Sequence, residues 1–106
     1  MASLSTHVLD TGAGRPATGV AVVLESAGGE AVAEGRTDAD GRIPSLGGDL
    51  ATGDYRLRFD TGGWFAAAGV DAFYPEVVVA FTIAADEHFH VPLLLSPFGY
   101  STYRGS

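Results

Sequence analysis

The three histidines are the residues of this chain best suited to acid–base chemistry near neutral pH, since an imidazole has an ordinary pKa of about 6.5. They are His7, His88 and His90. His88 and His90 are two residues apart, so on a β-strand both side chains point to the same face. If His7 faces them, the imidazoles converge. His7 and His90 are then the candidates for a catalytic group that orients or deprotonates water.

Three neutral imidazoles are also the ligand set of a zinc site of the carbonic-anhydrase type. The sequence marks no carboxylate or fourth ligand beside them, and it has no cysteine to supply a thiolate. We therefore expect neither a metal nor another cofactor. For His88, a possible supporting residue, a half-exposed strand position without a task is an equally open interpretation.

Arg42 follows a tight turn, Asp38-Ala39-Asp40-Gly41, which can aim a guanidinium with little conformational loss. The parallel N–H donors of arginine match a pair of carbonyl or oxyanion oxygens on a planar substrate, a fork that lysine cannot supply. From the sequence alone, an ion pair between Arg42 and Asp38 or Asp40 is the better-supported alternative.

The sequence ends in Tyr103-Arg104-Gly105-Ser106, which differs from the small polar residues typical of a frayed terminus. A strand-like segment leads into it, so we expect a tyrosine, an arginine and a carboxylate to reach a definite place. Tyr103, Arg104 and Ser106 are therefore candidates for substrate binding. An edge strand or a subunit contact is a compatible alternative.

Short strand patterns must position these side chains. Clusters of Gly, Pro and Asp separate the predicted strands about every ten residues, which is typical of a sandwich or barrel. One helix is predicted at Gly63–Gly69, with Asp60 or Thr61 as N-cap and Gly69 as its stop. The predicted strands are Leu4–Leu9, Val20–Glu25, Ala31–Arg36, Arg42–Leu46, Tyr55–Asp60, Glu76–Ile83, Phe89–Leu95 and Ser101–Arg104.

Length and composition favour one globular domain over residues 1–106. The chain has 13 acidic residues against 6 arginines and a net charge of −7, which argues against nucleic acid as a partner. The segment Met1–Leu4 lacks the features of a secretion signal, and no apolar run approaches the roughly 20 residues that cross a membrane. We expect a cytoplasmic protein without membrane contact.

Three segments of the chain resemble the 5-hydroxyisourate hydrolases, the enzymatic branch of the transthyretin-like family. The segments are Ser5–Thr11, Thr37–Arg42 and His88–Ser106, and the resemblance extends over nearly the whole chain. It implies an all-β, transthyretin-like β-sandwich of two four-stranded sheets with one short helix.

The resemblance also implies an activity, the hydrolysis of 5-hydroxyisourate to 2-oxo-4-hydroxy-4-carboxy-5-ureidoimidazoline in urate catabolism, without a cofactor. It implies that His7, Arg42 and His90 are catalytic residues, that Arg42 contacts the substrate, and that Tyr103 takes part in substrate binding. The terminal tetrapeptide would close a cleft between subunits of a homotetramer. The alternative is a non-catalytic, transthyretin-like carrier of small ligands, for which loss of the histidine–arginine set would be typical.

Overall fold

Two β-sheets and one short helix make up the computed structural model, which describes residues 1–106. The helix, α1, spans Thr61–Ala67 between the sixth and seventh strands. The predicted all-β sandwich is confirmed. The strands are β1 (Ser3–Asp10), β2 (Arg15–Pro16), β3 (Ala21–Ser26), β4 (Ala31–Arg36), β5 (Arg42–Ile43), β6 (Gly53–Phe59), β7 (Val77–Ile83), β8 (His88–Ser96) and β9 (Gly99–Thr102).

The two sheets differ in size. One has the predicted four strands, which lie in the order β4-β3-β6-β7. The other has five, in the order β2-β1-β8-β9 with β5 also paired to β1, and is larger than predicted. The extra strand is β2, because Arg15 and Pro16 pair with Asp10 and Leu9 where the sequence indicated only a turn. Proline is tolerated there because β2 lies at a sheet edge.

The five-stranded sheet brings distant segments together through the pairing of β1. Strand β8 runs parallel to it, with Ser5 opposite His90 and His7 opposite Pro92. Strand β5 runs antiparallel on the other side, with Arg42 opposite His7. Directly opposed residues share a face of the sheet, so the histidines and the arginine lie on one face.

Along β1 and β8, successive side chains point alternately to the core and to the outer face of the five-stranded sheet. Ser3, Ser5 and His7 face outward with His88 and His90. The side chains of the opposite parity join the hydrophobic core, where burying an aliphatic or aromatic side chain contributes about 1.5–3 kcal/mol. From these two strands the core receives Leu4, Val8, Phe89, Val91, Leu93 and Leu95.

The helix has the predicted caps. The Asp60 carboxylate accepts a hydrogen bond from the Gly63 N–H at 3.2 Å, and Gly69, with φ of 71°, follows the last turn. Phe65 is buried, and the indole N–H of Trp64 donates to the Thr18 carbonyl at 2.7 Å. Both aromatic rings therefore attach the helix to the sandwich. No helix in the chain is long and apolar enough to cross a membrane.

Two predicted strands end early. The strand predicted at Arg42–Leu46 stops at Ile43, since Pro44 has no N–H for a further ladder bond. The last strand, predicted at Ser101–Arg104, is instead Gly99–Thr102. After this strand, the backbone returns to β8 only at Gly105, which forms an isolated bridge with His90.

Candidate active site

A cavity of about 330 Å³ opens on the outer face of the five-stranded sheet, where β1, β5, β8 and the end of the chain meet. Its volume falls within the range of small-molecule sites. The lining is almost entirely polar and carries both histidines of β8. It consists of Ser5, Thr6, Arg42, Pro44, His88, His90 and Ser106.

His90 is half-buried in this cavity and is held at two points. The Ser5 hydroxyl lies 2.7 Å from its Nδ1 atom. The Gly105 N–H donates to its main-chain carbonyl at 2.8 Å, which also brings Ser106 to the cavity. No protein atom hydrogen-bonds Nε2, so this nitrogen is the one available to a water molecule or a substrate.

The surroundings of His90 favour its neutral form. Burial is the largest cause that lowers the pKa of His90, and electrostatic repulsion from Arg42, His7 and His88 lowers it further. A hydrogen bond with Ser5 raises the pKa in part. With a pKa below the ordinary value, the imidazole retains a basic nitrogen at neutral pH.

Arg42 is aimed by the predicted turn. The Asp38 carboxylate accepts the main-chain N–H groups of Asp40 and Arg42, each at 2.9 Å, which closes an Asx turn. Gly41 has φ of 74° and lies against the main chain of Val8, where an added Cβ would overlap the carbonyl oxygen. Only glycine fits this approach, which brings Arg42 beside β1.

The guanidinium of Arg42 is not used in an ion pair. The chain forms four ion pairs, and neither Arg42 nor Asp38 nor Asp40 takes part in any of them. The alternative that the sequence favoured, an ion pair within the turn, is therefore absent. The donors of Arg42 are available to a ligand in the cavity.

The other two histidines occupy different positions. His88 is exposed, with Nε2 at 2.9 Å from the Ser5 hydroxyl and Nδ1 at 2.7 Å from the Ser3 hydroxyl. His7 is opposite Arg42 in β5 and lies beside the cavity lining. No group of three or more His, Cys, Asp or Glu side chains is arranged to hold a metal ion.

Tyr103 and Arg104 lie apart from this cavity. They line a separate groove of about 310 Å³ with Phe89 and Val91, which face the opposite side of β8 from His90. Arg104 forms an ion pair with Glu87 at 2.5 Å, and its guanidinium stands 4.5 Å from the Phe89 ring centroid. Their contact with a substrate stays a prediction.

Ser5 is the residue at this site that the sequence analysis did not select. Its hydroxyl touches both histidines of β8, and the residue is 8% exposed. A signal was present, since Ser3, Ser5 and His7 alternate along a strand with core residues between them. The pairing partner of that strand was not evident from the pattern.

Comparisons of the chain with known proteins identify its family. The model of the HIUase/Transthyretin family matches residues 4–105. The 5-hydroxyisourate hydrolase of Caulobacter vibrioides is 50% identical over 115 residues, covering 100% of both chains. The enzyme of the same name from Salmonella dublin is 51% identical over 109 residues, covering 97% of this chain and 80% of that one.

Solved structures include both branches of the family. The 5-hydroxyisourate hydrolase of Klebsiella pneumoniae superposes with a TM-score of 0.93 at 45% identity, covering 100% of this chain and 94% of that chain. Transthyretin from Sparus aurata superposes with a TM-score of 0.88 at 34% identity, covering 96% and 95%. The chain is thus a member of the HIUase/transthyretin family.

Proposed function

We propose that this chain hydrolyses 5-hydroxyisourate, opening the six-membered ring to give 2-oxo-4-hydroxy-4-carboxy-5-ureidoimidazoline in urate breakdown. One observation carries the proposal. A neutral imidazole, an unpaired guanidinium and the Ser106 residue surround one cavity in a chain that is half identical to hydrolases of this name. No cofactor is proposed, because hydrolysis of an activated acyl-urea needs a proton acceptor and an oxyanion donor but no electron sink.

His90 is the proposed general base. Its Nε2 atom faces no protein partner, and its lowered pKa keeps the imidazole neutral at neutral pH, so that it can accept a proton. It takes a proton from water as the water oxygen bonds to a ring carbonyl carbon. The ring C–N bond then breaks, and the proton passes to the departing nitrogen. His7, the other histidine considered for this step, is assigned to substrate binding beside Arg42.

Arg42 is the proposed electrophilic partner. Its guanidinium can donate two parallel N–H groups to the carbonyl oxygens of a planar ring. As water adds, one of these oxygens becomes an oxyanion, and a preorganised cation stabilises that charge more than it stabilised the ground state. Ser106 completes the lining on the side opposite the turn.

A carrier function is the second candidate, because transthyretins share the fold. The lining of the cavity argues against it. Hydrophobic and aromatic side chains predominate in most ligand pockets, whereas here Pro44 is the sole apolar residue among hydroxyl, imidazole and guanidinium groups. A pocket of this kind suits a small polar ring that is rich in carbonyl and N–H groups.

The proposed assembly is a homotetramer, a dimer of dimers in which the outer faces of the five-stranded sheets oppose each other. The exposed edge strands β7 and β9 support an interface between copies, since an unpaired edge invites pairing. In such an assembly Tyr103 and Arg104 bind substrate through a neighbouring subunit or close the cleft. The cytoplasm is the proposed location.

The test generates 5-hydroxyisourate in place from urate with urate oxidase and follows its ultraviolet absorbance. The chain should accelerate the decay, and His90→Ala should remove most of the acceleration. A decay rate equal to the spontaneous rate, measured with folded protein, would exclude the hydrolase function. Binding of an aromatic ligand without turnover would then support the carrier.

A further inference from the structure

Four side chains on the outer face of the five-stranded sheet form a continuous hydrogen-bonded chain. The Ser3 hydroxyl meets His88 Nδ1 at 2.7 Å, and His88 Nε2 meets the Ser5 hydroxyl at 2.9 Å. The Ser5 hydroxyl in turn meets His90 Nδ1 at 2.7 Å. Ser3 is partly open to solvent and His90 lines the cavity, so this series of hydrogen bonds connects the solvent with the cavity.

The hydroxyl of Ser5 restricts how protons can be arranged. It has one hydrogen to donate, and it contacts two ring nitrogens. It can therefore donate to one imidazole at most, and at least one imidazole donates to it. If it donates to His88, then His90 carries its proton on Nδ1 and has a lone pair on Nε2. If it donates to His90, then His90 carries the proton on Nε2.

The charges around His90 favour the first arrangement. Arg42 lines the same cavity as Nε2, and His7 stands beside Arg42. A lone pair directed toward a guanidinium is stabilised, whereas an N–H directed toward it is repelled. On the far side, His88 can donate its Nδ1 proton to Ser3, which is partly open to solvent. Each of the three hydrogen bonds then joins one donor to one acceptor.

We propose that Ser5 and His88 are positioning residues that hold His90 in the Nδ1-protonated tautomer, with the lone pair of Nε2 directed into the cavity. The catalytic meaning of this tautomer rests on the proposed hydrolase function, since only a general base needs the lone pair. Free neutral histidine prefers the opposite tautomer, with the proton on Nε2. The arrangement is therefore imposed on His90 by its partners.

The direct test is the tautomer itself. Nitrogen-15 NMR of the imidazole rings at a pH where His90 is neutral distinguishes a protonated from an unprotonated Nδ1. The intact chain should show His90 protonated on Nδ1, and Ser5→Ala should shift it toward protonation on Nε2. A His90 ring that carries its proton on Nε2 in the unmodified chain would overturn the proposal, and so would a tautomer that Ser5→Ala leaves unchanged.

Kinetics supply the second readout. Ser5→Ala should lower kcat roughly 3- to 10-fold, the range for one lost hydrogen bond, with little change in KM. Ser101→Ala is the matched control, because Ser101 is exposed, lies opposite Leu94 and makes no side-chain hydrogen bond. A change confined to KM, or an equal loss in both variants, would contradict the positioning role.

Substitutions of His88 separate tautomer control from packing. The side-chain amide oxygen of His88→Gln can accept the Ser5 proton where Nε2 did, so this variant should retain the tautomer and most of kcat. His88→Ala should lose both. Equal behaviour of the two variants would refute the role of His88. If the tautomer is as proposed but 5-hydroxyisourate is not hydrolysed, the proposed function fails while the assignment of the proton stands.

Discussion

Gly105 lies against the imidazole of His90 so closely that an added Cβ would come within 2.5 Å of Cδ2. The same residue donates its N–H to the His90 carbonyl at 2.8 Å. One backbone contact therefore fixes the base of the His90 side chain and limits where its ring can lie. A residue with a side chain at this position must displace either the ring or the end of the chain.

Gly105→Ala should consequently impair catalysis more than stability. A shift of the ring by about 1 Å can cost roughly 10²-fold in rate. We expect a loss of that order in kcat/KM with a small change in Tm. Gly99→Ala is the control, since a Cβ there meets nothing closer than Ser96 Oγ at 3.7 Å. Equal activity of the two variants would show that the ring tolerates displacement.

The lowered pKa of His90 predicts the pH dependence of the reaction. A general base acts in its neutral form, so kcat/KM should fall as the pH decreases through the pKa of His90, below its ordinary value of about 6.5. Arg42→Gln removes one of the charges that lower this pKa, so the pKa should rise. NMR titration of His90 measures it directly. A fall or no change in the variant would contradict the electrostatic role of Arg42.

Removal of the proposed catalytic groups should reduce activity without unfolding the chain. His90→Ala should lower kcat/KM by roughly 10²–10⁴-fold, the usual contribution of a general base. Arg42→Ala should also cause a large loss of kcat/KM, because the Arg42 guanidinium, which forms no ion pair, is the proposed stabiliser of the oxyanion. Arg36→Ala is the control arginine, exposed on β4 of the other sheet. Wild-type rates for His90→Ala with unchanged circular dichroism would refute the site.

Local patterns predicted most of this architecture, because strands, turns and the helix depend on nearby residues. Asp60 and Gly69 bound the helix as expected, and the Asp38–Gly41 turn delivers Arg42. The role of Ser5 could not be predicted in this way. It depends on the parallel register of β1 and β8, which places Ser5 opposite His90 across 85 positions of sequence.

The end of the chain was predicted only in part for the same reason. Ser106 lines the cavity, but the prediction of one strand through Arg104 placed Tyr103 and Arg104 in regular pairing. Strand propensity does not reveal that the Gly105 N–H bonds to His90 after two unpaired residues.

Gly41→Ala should destabilise the fold and misplace Arg42. Alanine at a φ of 74° is strained by about 1–3 kcal/mol, and its Cβ would also overlap the Val8 carbonyl oxygen. Gly14→Ala is a matched control, since Gly14 has φ of 70° with nothing within 4 Å of a Cβ. Thermal unfolding should show a larger decrease in Tm for Gly41→Ala. Equal decreases would mean that only the backbone angle matters.

The edge strand β9 predicts the assembly state. Tyr100 is 42% exposed on this strand, and its ring packs against Tyr74 with centroids 5.2 Å apart, which leaves an aromatic surface beside an unpaired edge. Light scattering should give about four times the 10.9 kDa chain mass, as expected for two-fold related pairs of dimers.

Tyr100→Glu should lower that mass, because a two-fold axis places like charges on both sides of the same interface. It should also lower activity, since in the proposed tetramer a neighbouring subunit closes the cavity. Val32→Glu, at a residue 45% exposed on β4 of the other sheet, is the control and should leave both unchanged. A fully active monomer at micromolar concentration would show that one chain holds a complete site, and that Tyr103 and Arg104 take no part in it.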